Sequence, residues 1–220
     1  MRDARVRYRS AHTIKQRARE LLELCGLSGR RHFNIVHLVE DHLIPRLKGG
    51  LRIAFFDMKP AGVPAYVSYR PLTLHIDREI WRDAKIGDPG ARYIVAHEIG
   101  HIVLHDQREL AFSSGSDAQL RAPENEESAE WQANVFAHFL LVPDEALLGN
   151  RSLEDVAAEI SVPAAVIATV SMFDERRDAF EFVDRSNYTG DACGECGNFA
   201  LVRAGTHLRC EGCGAAMEGY

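Results

Sequence analysis

The five residues His97, Glu98, Ile99, Gly100 and His101 constrain this chain more than any other segment. In an α-helix, residues four positions apart lie on the same face, so both imidazoles can point at one tetrahedral ion. Glu98 lies beside that face, where its carboxylate can reach a metal-bound water instead of the metal. The motif therefore predicts a helix that carries two zinc ligands and a general base.

The residues around this motif favour a buried helix that begins near Gly90. Apolar side chains recur on both sides of the histidines: Ala91, Ile94, Val95, Ile99, Ile102, Val103 and Leu104. A polar metal site inside such an element is costly unless it has a use. His105 continues the four-residue spacing, but a helix rise of ~1.5 Å per residue places it about 6 Å beyond His101. We therefore favour a supporting or surface position for His105 over metal contact.

A third ligand is expected on a second helix over residues 124–143. Acidic residues crowd its first turns, where they suit the positive end of the helix dipole, and Pro143 marks its end. We favour Glu130, because it lies inside the helix and the small Ala133 that follows allows close packing against the first helix. Glu126 and Glu127 are the competing ligands, although each also fits a solvated first-turn charge.

The remaining pattern of the main domain predicts an α+β fold. Short strands and helices alternate with turn residues. Helices are expected over 13–25, 34–47 and 78–86, and strands over 51–57, 63–69 and 72–76. Pro64, near the start of the second strand, indicates an edge position. Cys25 ends an apolar stripe on the first helix and is expected in the core.

Beyond Pro143, residues 152–160 and 163–173 predict two short helices around Ser161 and Val162, as in a helix-turn-helix. The second helix carries no basic residue and little that could hydrogen-bond a base edge. We therefore expect this pair to pack against the main domain or to dock a substrate protein, and not to read DNA.

The last forty residues contain two CxxC motifs separated by thirteen residues: Cys193 with Cys196, and Cys210 with Cys213. This spacing predicts a zinc ribbon in which four thiolates hold a structural Zn²⁺. A hairpin is expected between the motifs, with its turn at Gly205. A pair of disulfides is the less favoured alternative.

Composition and charge fit a globular protein with an uneven charge distribution. Apolar residues make up 46% and charged residues 26% of the chain, which is ordinary, and no apolar run approaches the ~20 residues that span a bilayer. The N-terminal sequence lacks the features of a secretory signal, so we expect a cytoplasmic location. Residues 1–31 carry nine basic and three acidic side chains. We favour a solvated arm and helix face over a phosphate-binding surface.

Two separated motifs resemble the ImmA/IrrE family of zinc metallopeptidases. Residues 97–105 read HEIGHIVLH, and residues 130–137 read EWQANVFA before a short apolar stretch that ends at Pro143. The resemblance extends over about residues 13–172. It implies a small gluzincin-like domain with His97, His101 and Glu130 as zinc ligands and Glu98 as the catalytic base. It also implies a narrow substrate, a helix-turn-helix repressor whose cleavage releases genes of stress, DNA-damage, mobile-element or anti-phage responses.

The expected organisation is a metallopeptidase domain over residues 1–145, a helical segment over 146–183 and the zinc ribbon over 184–220. Longer family members lead one to expect a sensor domain where this chain has the predicted ribbon. How the activity is switched on therefore stays open. Single-stranded DNA is the first candidate activator, because the N-terminus is basic and the family is linked to DNA damage. A second hypothesis is that a thiolate, from Cys25 or from a ribbon cysteine, fills the open zinc position until an activator displaces it.

Two further points stay open at the level of sequence. The second oxyanion donor is expected among Tyr66, Tyr69, Tyr93, His75 and His138. Two other classes of function compete with the endopeptidase: a repressor-binding or nucleic-acid-binding module whose zinc site is catalytically silent, and a transcription factor. The presence of Glu98 disfavours the silent module, and the acidic overall balance disfavours the transcription factor.

Overall fold

The computed structural model describes residues 4–48, 50–57, 62–105, 125–148, 151–173, 201–204, 207–210 and 215–218. Among these residues, the helices are α1 (Ala11–Leu24), α2 (residues 35–46, with a π-helical turn at Leu38–Leu43), α3 (Arg78–Ile86), α4 (Pro89–Leu104), α5 (Ala129–Leu141), α6 (Leu153–Ile160) and α7 (Ala164–Phe173). The strands are β1 (Arg52–Phe56), β2 (Ala65–Tyr69) and β3 (Leu72–Asp77), with β4 (Leu201–Ala204), β5 (His207–Cys210) and β6 (Ala216–Glu218) near the end of the chain. The expected α+β class is confirmed.

The first sheet has the order β1-β3-β2, with β1 parallel and β2 antiparallel to β3. β3 is central, and its Leu74 and Ile76 are fully buried. β2 is an edge strand, as Pro64 indicated, and the Pro64 carbonyl accepts a hydrogen bond from the Asp77 amide. Tyr69 at the end of β2 donates its hydroxyl proton to the His101 carbonyl at 3.0 Å. The sheet edge is thereby fixed beside α4.

The helices α4 and α5 pack closely because of two small residues. A Cβ added to Gly100 would lie 2.9 Å from Ala133 Cα and 3.0 Å from the Ala133 carbonyl oxygen, so only glycine fits at this crossing. The expectation that Ala133 allows close approach is confirmed.

We expect Gly100→Ala to lower the free energy of unfolding by about 1–3 kcal/mol, because the added methyl group overpacks the crossing. Alanine is otherwise the better helix former by ~1 kcal/mol. The matched control is Gly90→Ala in the same helix, where the nearest atom to an added Cβ is Asp88 Oδ1 at 3.4 Å. Urea unfolding should show a loss only for Gly100→Ala, and equal stabilities for the two variants would contradict the packing argument.

The helix pair α6–α7 belongs to the same core as the first five helices. Val156, Ile160 and Val166 are fully buried in it. The buried Arg92 of α4 donates to the carbonyls of Ile160, at 2.6 Å, and Ser161 at the turn between the two helices. Burial lowers the pKa of Arg92 to about 10, so it stays cationic at neutral pH. The expected packing of this pair against the main domain is observed.

The helix expected over 124–143 begins later than its sequence pattern indicated. Residues Asn125–Glu127 form a 3-10 turn, and Ser128 is extended and bridges to Arg5. The Ser128 hydroxyl then accepts a hydrogen bond from the Trp131 amide at 2.9 Å, so α5 starts at Ala129. Pairing with a distant segment therefore overrides the helical pattern here.

In the C-terminal region, β4 and β5 form the expected hairpin, and β6 adds a third antiparallel strand. Cys210 is buried at the end of β5. Cys193, Cys196 and Cys213 lie outside the described residues. Within the part of the chain that the structure describes, no helix is long and apolar enough to cross a bilayer.

Candidate metal centre

Both histidines of the motif lie on one face of α4. Asp88 caps this helix by accepting a hydrogen bond from the Ala91 amide at 2.8 Å, and Pro89 occupies the first turn of the helix. The Nε2 atoms of His97 and His101 lie 3.0 Å apart. Two ring nitrogens therefore face the same small volume, as the four-residue spacing predicted.

Glu130 enters this volume from the first turn of α5. Its Oε2 lies 3.3 Å from His97 Nε2, and its Oε1 lies 3.6 Å from His101 Nε2. Burial raises the pKa of Glu130, but the adjacent His97 and His101 imidazoles outweigh that effect and hold the pKa well below its usual range. The carboxylate is therefore ionised at neutral pH.

The three side chains match the demands of a zinc ion. One ligand-type atom from each of His97, His101 and Glu130 lies within 4.8 Å of the other two. Zinc–nitrogen and zinc–oxygen bonds of ~2.0–2.1 Å in a tetrahedron place neighbouring ligand atoms about 3.3 Å apart. The separations of 3.0, 3.3 and 3.6 Å are close to that value. Two imidazoles and one carboxylate, leaving a fourth position open, are also the donor set of catalytic zinc sites.

His97 is charged more readily than an ordinary histidine. Burial lowers its pKa, but the hydrogen bond to Glu130 and the charge of Glu98 outweigh burial, so the pKa is raised. A metal ion that binds here must displace the His97 proton.

Glu98 is buried beside the two histidines. Only 5% of its surface is exposed. Burial raises its pKa, while the charges of His97 and His101 oppose that shift. Among the described residues, its Oε2 is buried and has no hydrogen-bond partner. Because buried carboxylate oxygens are normally paired, this atom is placed to bond a water or substrate group in the site.

A layer of polar residues supports the histidines, and sequence reasoning did not assign it. Asn134 Oδ1 accepts from His97 Nδ1 at 2.8 Å and from the Tyr93 hydroxyl at 3.0 Å. Asn134 lies one helical turn after Glu130, within the motif that carried the family resemblance. That spacing is the signal that could have identified it.

His105 supports His101 and is not in the ligand group. Its Nδ1 lies 3.2 Å from His101 Nδ1, and its Nε2 lies 3.2 Å from Gln132 Oε1. Burial, followed by the charge of His101, lowers the pKa of His105 to about 3. The ring is therefore neutral at physiological pH. The favoured supporting position is observed.

The competing ligands lie elsewhere. Glu126 and Glu127 belong to the turn that precedes α5. Glu127 forms an ion pair with Arg5 at 2.5 Å. Among the described residues, neither belongs to the group that could hold a metal.

The five expected oxyanion donors and Cys25 have structural contacts of their own. Tyr69 bonds the His101 carbonyl, and Tyr93 bonds Asn134 and His138. Tyr66 stacks on His75 with ring centroids 4.4 Å apart, and His75 contacts Ser68. Cys25 lies in the hydrophobic core, where burial raises its pKa. The second donor stays a prediction without a named residue.

Comparison with solved structures supports the fold. A "Mycobacterium tuberculosis transcriptional regulator" superposes with a TM-score of 0.50 at 15% sequence identity. The match covers 76% of this chain and 49% of the other, so the present chain spans about half the length of that regulator. At this identity the likeness concerns the fold alone.

Comparison with protein families identifies the domain that holds the site. Residues 67–169 match the family model of the IrrE N-terminal-like domain, peptidase M78. The matched region runs from β2 into α7 and includes His97, His101, Glu130 and the adjacent Glu98. Residues 67–169 of this chain are therefore similar to the IrrE N-terminal-like domain of the peptidase M78 family.

Proposed function

We propose that this protein is a zinc-dependent, site-specific endopeptidase. His97, His101 and Glu130 would hold the catalytic ion, and Glu98 would act as the general base. The observation that carries the proposal is the unpartnered, buried Glu98 carboxylate oxygen beside a three-residue ligand group. A silent metal site has no need of such a group.

The proposed reaction assigns a task to each residue. When bound, Zn²⁺ acts as a Lewis acid that acidifies a water and polarises the substrate carbonyl. Glu98 accepts a proton from the attacking water and passes it to the leaving amine. Its burial favours both steps, because a raised pKa brings a carboxylate closer to the value needed for proton transfer at neutral pH. Asn134 and His105 hold the two imidazoles in place.

The proposed substrate is a helix-turn-helix transcriptional repressor. The motif resemblance supports this choice, and the M78 domain is consistent with it. Such a pair would act in the cytoplasm, where cleavage of the repressor would release its genes in a stress, DNA-damage, mobile-element or anti-phage response.

The direct test is incubation of the purified, zinc-loaded protein with the repressor encoded by the neighbouring gene. We expect cleavage at a single bond, identified by mass spectrometry, and loss of cleavage with a chelator. Stable binding without cleavage would indicate a silent module, and promoter binding by this chain alone would indicate a transcription factor.

Single-stranded DNA stays a proposed activator, inferred from the charge of the N-terminal region. Several basic side chains of the N-terminal region are already neutralised in ion pairs: Arg5 with Glu127, Lys15 and Arg19 with Asp144, Arg17 with Glu20, and Arg31 with Glu159. These pairs favour the alternative of an ordinary solvated surface. The structural zinc at Cys193, Cys196, Cys210 and Cys213 also stays a proposal, as does the division of the chain at residues 145 and 183.

A further inference from the structure

The N-terminal arm, residues 4–9, is docked against the turn that precedes α5. The Val6 amide donates to the Glu127 carbonyl at 2.7 Å, and the Arg9 amide donates to the Glu126 carbonyl at 3.0 Å. The Val6 side chain is buried. The arm therefore holds the start of the helix that carries Glu130.

The arm also reaches the centre through Gln132, which is completely buried. Gln132 Nε2 donates to the carbonyls of Arg7, at 2.8 Å, and Glu126, at 2.6 Å. Its Oε1 must then be the acceptor for Arg9 Nη1 at 3.1 Å and for His105 Nε2 at 3.2 Å. Every polar atom of this amide has a partner, so its orientation is determined.

This orientation determines which ring nitrogens of His105 and His101 carry a proton. His105 donates from Nε2 to Gln132, and a neutral imidazole with a proton on Nε2 can only accept at Nδ1. His101 must then donate from its own Nδ1, 3.2 Å away. The lone pair of His101 is thereby left on Nε2, the atom that faces His97 and Glu130.

We propose that Arg9, Gln132 and His105 are positioning residues of the metal centre, through which the docked N-terminal arm holds His101 in its metal-binding tautomer and orientation. The proposal rests on the assignment of His101 as a ligand. It gives Arg9 a task inside the protein, in place of a contact with nucleic acid. Residues that bond the outer nitrogen of a ligating histidine commonly change metal affinity by about 10–100-fold when they are replaced.

The test compares three full-length variants with the natural protein. Gln132→Leu removes the central amide, Arg9→Met removes the guanidinium that donates to this amide, and Arg17→Met is the control. Arg17 is an exposed arginine on α1 that pairs with Glu20, so its replacement changes the net charge as Arg9→Met does. Arg9→Met keeps the test decisive if Gln132→Leu fails to fold.

The first measurement is zinc affinity by competition with a chromophoric chelator. We expect a loss of about 10–100-fold for Gln132→Leu, a smaller loss of about fivefold for Arg9→Met, which lies one bond further out, and no change for Arg17→Met. The second measurement is the tautomer of His101 in the metal-free protein, from ¹⁵N-detected histidine spectra. We expect a proton on Nδ1 in the natural protein and a mixture of tautomers in Gln132→Leu and, to a smaller extent, in Arg9→Met.

An Nε2-protonated His101 in the natural protein would overturn the proposal, as would zinc affinity and histidine spectra of Arg9→Met equal to those of Arg17→Met. Because the tautomer is read without metal or substrate, this failure differs from failure of the proposed function. Failure of the proposed function would appear as a natural protein that binds no zinc or cleaves no repressor, whatever the histidine spectra show.

Discussion

Glu98→Gln should slow cleavage of the substrate by about 10²–10⁴-fold while leaving zinc bound, because it removes the proton acceptor alone. Glutamine has nearly the same shape as glutamate but cannot accept a proton from the attacking water. The substitution also removes a buried charge. Burial already disfavours that charge, so we expect the melting temperature to be unchanged or raised.

The measurement is the single-turnover cleavage rate on the repressor, together with zinc content and thermal unfolding of the same preparation. The result separates the chemical step from folding and from metal binding. Full activity in Glu98→Gln, with one zinc per chain, would show that another group is the base. A loss of zinc along with activity would show that Glu98 has a structural part in the site.

Glu130→Ala should weaken zinc binding by at least about 100-fold. Apparent free energies of ~10–16 kcal/mol for four-ligand zinc sites imply about 3 kcal/mol for each ligand, and that difference is about 100-fold in affinity. The side chain is partly exposed, and alanine suits the first turn of a helix. The fold should therefore tolerate the change.

The matched control is Glu126→Ala, four residues earlier. Glu126 also carries a carboxylate, but the hydrogen bonds that it accepts from Arg9 and Gln132 use its main-chain carbonyl, which alanine retains. Chelator competition should show weakened binding only for Glu130→Ala. Equal affinities in the two variants would exclude Glu130 as a ligand and return the choice of third ligand to the acidic residues before α5.

Much of the fold was predictable because its signals are local. The strands of the first sheet were expected within two residues of their observed ends, since turn residues mark both limits. α3 and α4 were also placed well, because Asp77, Gly87 and Asp88 act as caps next to the residues that they bond. Pro64 correctly marked an edge strand, because proline cannot donate to a second neighbour.

The predicted start of α5 was wrong for a physical reason. Residues 124–128 have the acidic pattern of a first helical turn, but Ser128 pairs with Arg5 and the Ala129 amide donates to the Ala4 carbonyl. Those bonds come from a segment more than 120 residues earlier. Local propensity cannot anticipate them, and they place Glu130 in the first turn instead of deeper in the helix.

By itself the sequence determined that His97 and His101 share a helical face with Glu98 beside them, because helical spacing depends only on backbone hydrogen bonds between near neighbours. The tertiary structure alone decided which acidic side chain meets the two imidazoles, and that Asn134, His105, Gln132 and Arg9 surround them. Those contacts join residues far apart in the chain. They depend on how closely α4 and α5 approach at Gly100, and on where the N-terminal arm docks.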